Sequence, residues 1–226
     1  MSIPAAPALA EDGVERIPGA LGPSEIGLLA DLASCRLDDR PGVRLVGDPT
    51  LSALLRSDGP LQSCAVAALG PRARPVRAVL FDKRTGSNWA VGWHQDRTIA
   101  VRARIDTTGF GPWSRKDGVD HVEPPFALID GMVTLRAHLD AVPADNAPLI
   151  VALGSHRRGR IPADRLAAIV AGSVQYACLA APGDIWISAT GIAHASRPAE
   201  RPTHRRVLQV DYAATSLPNG LQWLGV

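Results

Sequence analysis

Cysteine is scarce in this 226-residue chain, and Cys35, Cys64 and Cys178 are odd in number and far apart. That excludes a disulfide framework and predicts a reducing compartment. None of the three has a neighbour at the spacing of a zinc motif. A secretion signal is not expected either, because Glu11, Asp12, Glu15 and Arg16 interrupt the apolar stretch it would need. No later run approaches the ~18 apolar residues of a membrane span. The expected location is therefore the cytoplasm, with no membrane partner. Excess charge of one sign is also lacking: 24 lysines and arginines face 22 aspartates and glutamates, and the basic residues are scattered. Nucleic acid is not the expected partner, and the tightest basic run, Arg157-Arg158-Gly159-Arg160, reads as a solvated loop. No internal repeat or low-complexity segment is visible.

What is present is an ordinary globular composition, 46% hydrophobic and 20% charged, with enough apolar surface for one continuous core. A single domain over residues 1–226 is expected. Leucine and alanine recur at helical spacing from Ser24 to Ser34, Pro49 to Arg56 and Leu61 to Leu69, so residues up to about 75 read as a helical brace. From about 76 to 215 the character changes. Val76–Phe81, Trp93–Val101, Met132–Val142, Leu149–Leu153, Ile185–Ser188 and Val207–Tyr212 read as short strands punctuated by glycine and proline. With one later helix candidate, Ala163–Ala171, this pattern predicts a mainly β barrel or sandwich with N-terminal helices, not βαβ repeats. Asp106 to Asp130 reads as a long irregular loop carrying Trp113 and His121.

The chemistry concentrates in Trp93-His94-Gln95-Asp96. In a strand, His94 and Asp96 share a face while Gln95 turns opposite, so one element offers two ligands. A His-x-Asp pair recurs by chance in many proteins, but here it is answered by His194, on a strand that follows the turn Gly183-Asp184, with Arg205 eleven residues further on. Two imidazoles and one carboxylate on one face of an octahedral ion leave three positions open, which suits a mononuclear non-haem iron site for oxygen chemistry.

Asn88-Trp89, Trp93-His94-Gln95-Asp96, Asp145-Asn146-Ala147-Pro148-Leu149, Gly154-Ser155-His156, Gly183-Asp184 and His194-Ala195-Ser196 occur in an order that resembles the phytanoyl-CoA dioxygenase family over roughly Arg77 to Tyr212. The resemblance implies a double-stranded β-helix (a jelly-roll, cupin-like barrel), Fe(II) held by His94, Asp96 and His194, and 2-oxoglutarate and O2 as cosubstrates. The implied activity is hydroxylation of a small organic molecule with release of succinate and CO2. Asp96 stands where a related halogenase is expected to have a small residue, so halogenation is disfavoured. The far carboxylate of 2-oxoglutarate needs a fork of donors, which a guanidinium supplies better than an ammonium. Alternation groups Arg206 with Leu208, Val210 and Tyr212, whereas the family-like spacing from His194 selects Arg205. Ser196 and Gln95 are similar to family residues near the cosubstrate.

Arg136, His138 and Asp140 alternate on one face, ordinarily a solvent face; in a ligand-holding barrel the inward face can be polar, and Arg136 then offers a cation to an acidic substrate or to the cosubstrate. His121 and His204 are expected on loops and His156 in a turn. Ala147-Pro148 replaces a more usual glycine-proline pair, a change expected to affect only a turn. Two other readings stay open: a noncatalytic metal-binding or sensing barrel, and an oxygenase acting on a protein or carrier-bound substrate. The residues do not choose between hydroxylation, desaturation, cyclisation and epimerisation, nor do they set the oligomeric state.

Overall fold

The computed structural model describes residues 6–55 and 58–226. Its helices are α1 (Leu9–Asp12), α2 (Pro23–Leu37), α3 (Pro49–Leu54), α4 (Pro60–Leu69), α5 (Phe126–Asp130) and α6 (Ala163–Ala171). Proline opens α2, α3 and α4, where its fixed φ suits the first turn and its missing N–H costs nothing. Asp48 caps α3 by accepting from the Thr50 and Leu51 amides at 2.9 and 3.1 Å. The expected helix to Arg56 stops at Leu54, and Arg56 itself lies outside the described residues. No helix among the described residues is long and apolar enough to cross a membrane.

The strands are β1 (Val14–Ile17), β2 (Gly42–Leu45), β3 (Arg74–Lys83), β4 (Val91–His94), β5 (Ile99–Val101), β6 (Trp113–Lys116), β7 (Val119–Val122), β8 (Met132–His138), β9 (Leu149–Ala152), β10 (Gln175–Cys178), β11 (Ile185–Ala189), β12 (His194–Ser196) and β13 (Arg205–Ala213). They form a six-stranded sheet in the order β1-β11-β8-β13-β3-β2, a four-stranded sheet β10-β9-β12-β4 and a three-stranded sheet β5-β7-β6. Every pairing is antiparallel.

The two faces of the six-stranded sheet differ sharply. Ala78, Leu80, Leu135, Ala137, Ile185, Ile187, Leu208 and Val210 pack against Leu29, Leu32, Leu51, Leu61 and Ala65 of the helices in the largest apolar cluster. The opposite face carries Arg77, Lys83, Arg136, His138, Gln209 and Asp211, brought side by side by the pairings Arg77↔Asp211, Lys83↔Arg205, Gln209↔Arg136 and Val207↔His138. This polar face looks across at the four-stranded sheet, since Trp186 and Val14 from one sheet share a buried cluster with Val151 and Cys178 from the other. The outer face of the four-stranded sheet is covered by α6 through Trp93, Ala152, Ala193, Leu166 and Val170.

Three sequence expectations are corrected. The front is not purely helical: β1 and β2 are the two edges of the six-stranded sheet, four-residue strands with burial patterns too mixed to show alternation. The expected strand Trp93–Val101 is broken into β4 and β5, so Asp96 lies on an irregular link between them. The stretch Asp106–Asp130 holds the β6–β7 hairpin and α5, and His121 is a buried strand residue, not a loop residue. Its strands are short and in part exposed, closing against β5 instead of the main core, and so carry little periodic signal.

Asp184, in the turn before β11, staples the edge strand β1 to the barrel. Its buried carboxylate accepts from Arg16 Nη2 at 2.5 Å, Gly19 N at 2.9 Å and Ala181 N at 2.6 Å. Burial raises its pKa, but the two amides and Arg16 outweigh that and hold it below the ordinary carboxylate value. A depressed folded-state pKa adds stability that is present above the unfolded value and lost as pH falls through the folded one. Asp184→Asn is expected to lower stability at pH 7 by about 2 kcal/mol. In urea unfolding the gap from wild type should narrow below about pH 4; an equal gap at both pH values would refute this account.

Candidate metal centre

His94 and His194 face each other because β4 and β12 pair with these two residues in register. Each Nδ1 lies beside the carbonyl two residues earlier, Gly92 O at 2.8 Å and Ile192 O at 2.9 Å. A carbonyl only accepts, so each Nδ1 carries the proton and each Nε2 keeps its lone pair. Asp96 completes the group, with its Oδ1 3.8 Å from His94 Nε2, and one ligand atom from each of the three residues lies within 4.8 Å of the others. Strand alternation is not what brings Asp96 round; the irregular link does.

The centre is ready for a cation before one arrives. Burial would raise the Asp96 pKa, but His194, Arg77, Arg136 and His94 together hold it at about 2. Burial lowers the His194 pKa to about 4, with Asp96 opposing and Arg136 and His94 assisting. Near neutral pH the carboxylate is therefore charged and the His194 imidazole neutral, the forms in which both bind metal. Arg77 braces Asp96 from behind: its Nε donates to Asp211 at 2.6 Å, and its Nη2 lies 3.9 Å from Asp96 Oδ2.

The two arginines at the start of β13 part company. Arg206 is bound by Asp140 through Nε at 3.0 Å and Nη2 at 2.7 Å. Arg205 points into the barrel, has no carboxylate partner among the described residues, and leaves its buried Nε without any acceptor. Burial and the nearby Arg136, with Asp82 opposing, bring its pKa down to about 10, so it stays charged. Alternation had correctly paired Arg206 with Leu208, Val210 and Tyr212. That apolar face packs on the helices, and the barrel interior is the polar side.

Beside Arg205 stands Lys83, which the sequence reading missed although it shares strand parity with Arg77. It is fully buried, donates to Ser196 Oγ at 3.0 Å and Arg197 O at 2.9 Å, and lies 5.0 Å from the Trp89 ring centroid. Burial and the charge of Arg205 lower its pKa to about 8. Ser196 is thus placed at this cation pair. Gln95 is not: it turns to the outer side, donates to Gly159 O at 3.0 Å and Gly191 O at 2.6 Å, and accepts from Ile161 N at 2.8 Å. These bonds clamp the loops flanking β4 and leave the Gln95 amide no free donor. Ala147 has φ +51°, a region costly for a residue with Cβ, which explains the glycine expected there. The carbonyl at this position, which either residue would present, accepts from Arg205 Nη1 at 2.5 Å.

Arg136 is buried and inward, with Ser188 Oγ at 3.3 Å as its hydrogen-bond partner. His138 beside it is pushed down to about 3 by burial and by Arg205 and Arg136, and is neutral. His204 reaches Asp82 from a loop, and His156 sits in a short 3-10 helix, Ser155–Arg158. Arg157 and Arg158 line a surface cleft of about 420 Å3 beside Gly172 and Ser173, on the far side of the four-stranded sheet from the barrel interior.

No protein-family profile and no curated protein matches the chain. Solved structures do. EctD from S. alaskensis with bound Fe superposes with a TM-score of 0.71 at 17% identity, covering 97% of this chain and 78% of that one. The epimerase SnoN, in complex with Fe3+, alpha-ketoglutarate and nogalamycin RO, gives 0.66 at 14% identity, covering 94% and 88%. HygX from Streptomyces hygroscopicus, with nickel and 2-oxoglutarate bound, gives 0.61 at 16% identity, covering 91% and 83%. At these identities the likeness establishes the fold: the facing antiparallel sheets are a double-stranded β-helix with a helical brace.

Proposed function

We propose that this chain is an Fe(II)- and 2-oxoglutarate-dependent oxygenase that hydroxylates a small organic molecule. The observation that carries the reading is the convergence of His94, Asp96 and His194 in the same barrel as Arg205, whose guanidinium has no carboxylate partner among the described residues and whose buried Nε has no acceptor there. The donor set fits Fe(II), with nitrogen and oxygen ligands on three sides. EctD and SnoN, solved with iron, and SnoN and HygX, solved with the keto acid, support the same assignment. The finer placement in the phytanoyl-CoA dioxygenase family rests on the motifs from Asn88 to Ser196.

In this reading His94, Asp96 and His194 hold the metal. Arg205 and Lys83 take the far carboxylate of the cosubstrate, replacing part of the Ala147 carbonyl contact with a charge-assisted pair. Ser196 orients Lys83, and Arg77 keeps Asp96 ionised and aimed. The apolar residues between the sheets, Val151, Trp186 and Ile192, keep bulk water from the centre. Fe(II) and 2-oxoglutarate, when bound, supply the oxidation of a C–H bond by O2 with release of succinate and CO2. The free cysteines support a reducing, cytoplasmic setting.

With Fe(II), 2-oxoglutarate and air, and no added substrate, the protein is expected to form succinate slowly, and chelation of the iron should stop it. Absence of succinate from protein shown to have taken up both iron and 2-oxoglutarate would favour the noncatalytic sensing barrel instead.

A further inference from the structure

Taking the proposed function as its premise, we infer that the substrate is an organic acid whose carboxylate pairs with Arg136 in the barrel interior. Arg136 lies mid-strand on β8, opposite Gln209 on β13 and Trp186 on β11, on the face that looks at the metal centre. It is close enough to Asp96 and His194 to act on the charge of both. Yet it has no carboxylate within ion-pair distance among the described residues, and Ser188 Oγ at 3.3 Å is a long, neutral partner for a group with five donors. The other interior arginines are accounted for: Arg77 has Asp211 and Asp96, and Arg205 faces the cosubstrate's carboxylate.

Charge leads to the same place. Arg77, Lys83, Arg136 and Arg205 are four inward cations, and Asp96 and Asp211 are two inward carboxylates. An Fe(II) ion and a 2-oxoglutarate dianion cancel each other, so loading the centre leaves the interior positive even with Lys83 neutral. A buried excess of positive charge beside the reacting atom is costly until an anion enters. The wall next to Arg136 is apolar, built from Trp186, Val142, Val151, Ile192 and the un-ionised Cys178. An acid with an apolar body meets both surfaces.

The test uses the full chain loaded anaerobically with Fe(II) and saturating 2-oxoglutarate, with acetate, hexanoate and their amides as calorimetric probes. Acids are expected to bind at one site at least tenfold more tightly than the matching amides. Arg136→Gln should erase that preference and Arg136→Lys should keep part of it, with any change in 2-oxoglutarate affinity smaller than the loss on the acid probe. The inference is overturned if neither acid outbinds its amide, if the preference survives Arg136→Gln, or if the loss falls on 2-oxoglutarate itself. Should Arg136→Gln fail to fold, the acid-to-amide ratio in wild type and Arg136→Lys decides. A wild-type protein that takes up no 2-oxoglutarate would instead sink the premise, which the loading step reads separately.

Discussion

Arg205→Gln is expected to raise the 2-oxoglutarate concentration needed for half-maximal succinate formation by about 100-fold, because losing one partner of a buried, hydrogen-bonded charge pair costs about 2–5 kcal/mol. Arg205→Lys should fall between, since it keeps a charge and loses the fork. Arg206→Ala should leave the requirement unchanged while reducing stability, because its guanidinium is already committed to Asp140. The two arginines adjoin in the chain, so the comparison separates a site effect from a general disturbance of β13. The assignment would be reversed by a raised requirement in Arg206→Ala together with a normal one in Arg205→Gln. Equilibrium binding of 2-oxoglutarate to anaerobic, iron-loaded protein should follow the kinetics, which places the effect in binding rather than turnover.

His194→Ala is expected to abolish iron-dependent succinate formation and to weaken metal uptake by well over 100-fold, since changes merely in the residues behind metal ligands already cost about 10- to 100-fold. His94→Ala should match it, because register sets the two imidazoles opposite each other and each holds its proton on the side away from the centre. Both variants remove a polar ring from the barrel interior, not from the apolar cluster beneath the helices, so cooperative unfolding should persist. Metal binding measured by competition with a chelator checks the first effect and thermal unfolding the second. Full succinate formation by either variant would refute the triad.

The metal triad was legible because its signal is chemical. Two of the chain's six histidines and one aspartate stand in two short motifs, and neither motif depends on knowing the fold to be noticed. Arg205 required more. Periodicity along β13 separates Arg205 from Arg206 but does not say which face is the interior, since an apolar face normally looks inward. Here the apolar face has helices to cover it, and the polar face encloses the space between the sheets. The same inversion makes Arg136 a buried interior group, where simple alternation along Leu135–Asp140 reads as a solvent face.

Lys83 and Gln95 mark the other limits of the sequence. Lys83 ends a strand recognised only as far as Phe81, and its significance arises from Arg205 and Ser196, 122 and 113 positions away in the chain. Gln95 lies between two candidate ligands, and nothing local tells that its amide ties Gly159, Gly191 and Ile161 together. The edge strands β1 and β2 escaped for a related reason: four residues with mixed burial carry no period, and their backbone groups find partners only in the assembled sheet.

The amino-acid sequence by itself determined which residue types are available for chemistry, the sheet-forming character of the chain after its helical front, and the candidate ligand trio, because these follow from side-chain chemistry and short-range periodicity. The tertiary structure alone decided which face of each strand encloses the centre, which of two adjacent arginines is left without a carboxylate partner among the described residues, and how an irregular link turns Asp96 toward two histidines. Those outcomes depend on which surfaces the helices cover and on pairings between distant strands, and no window of sequence contains both partners.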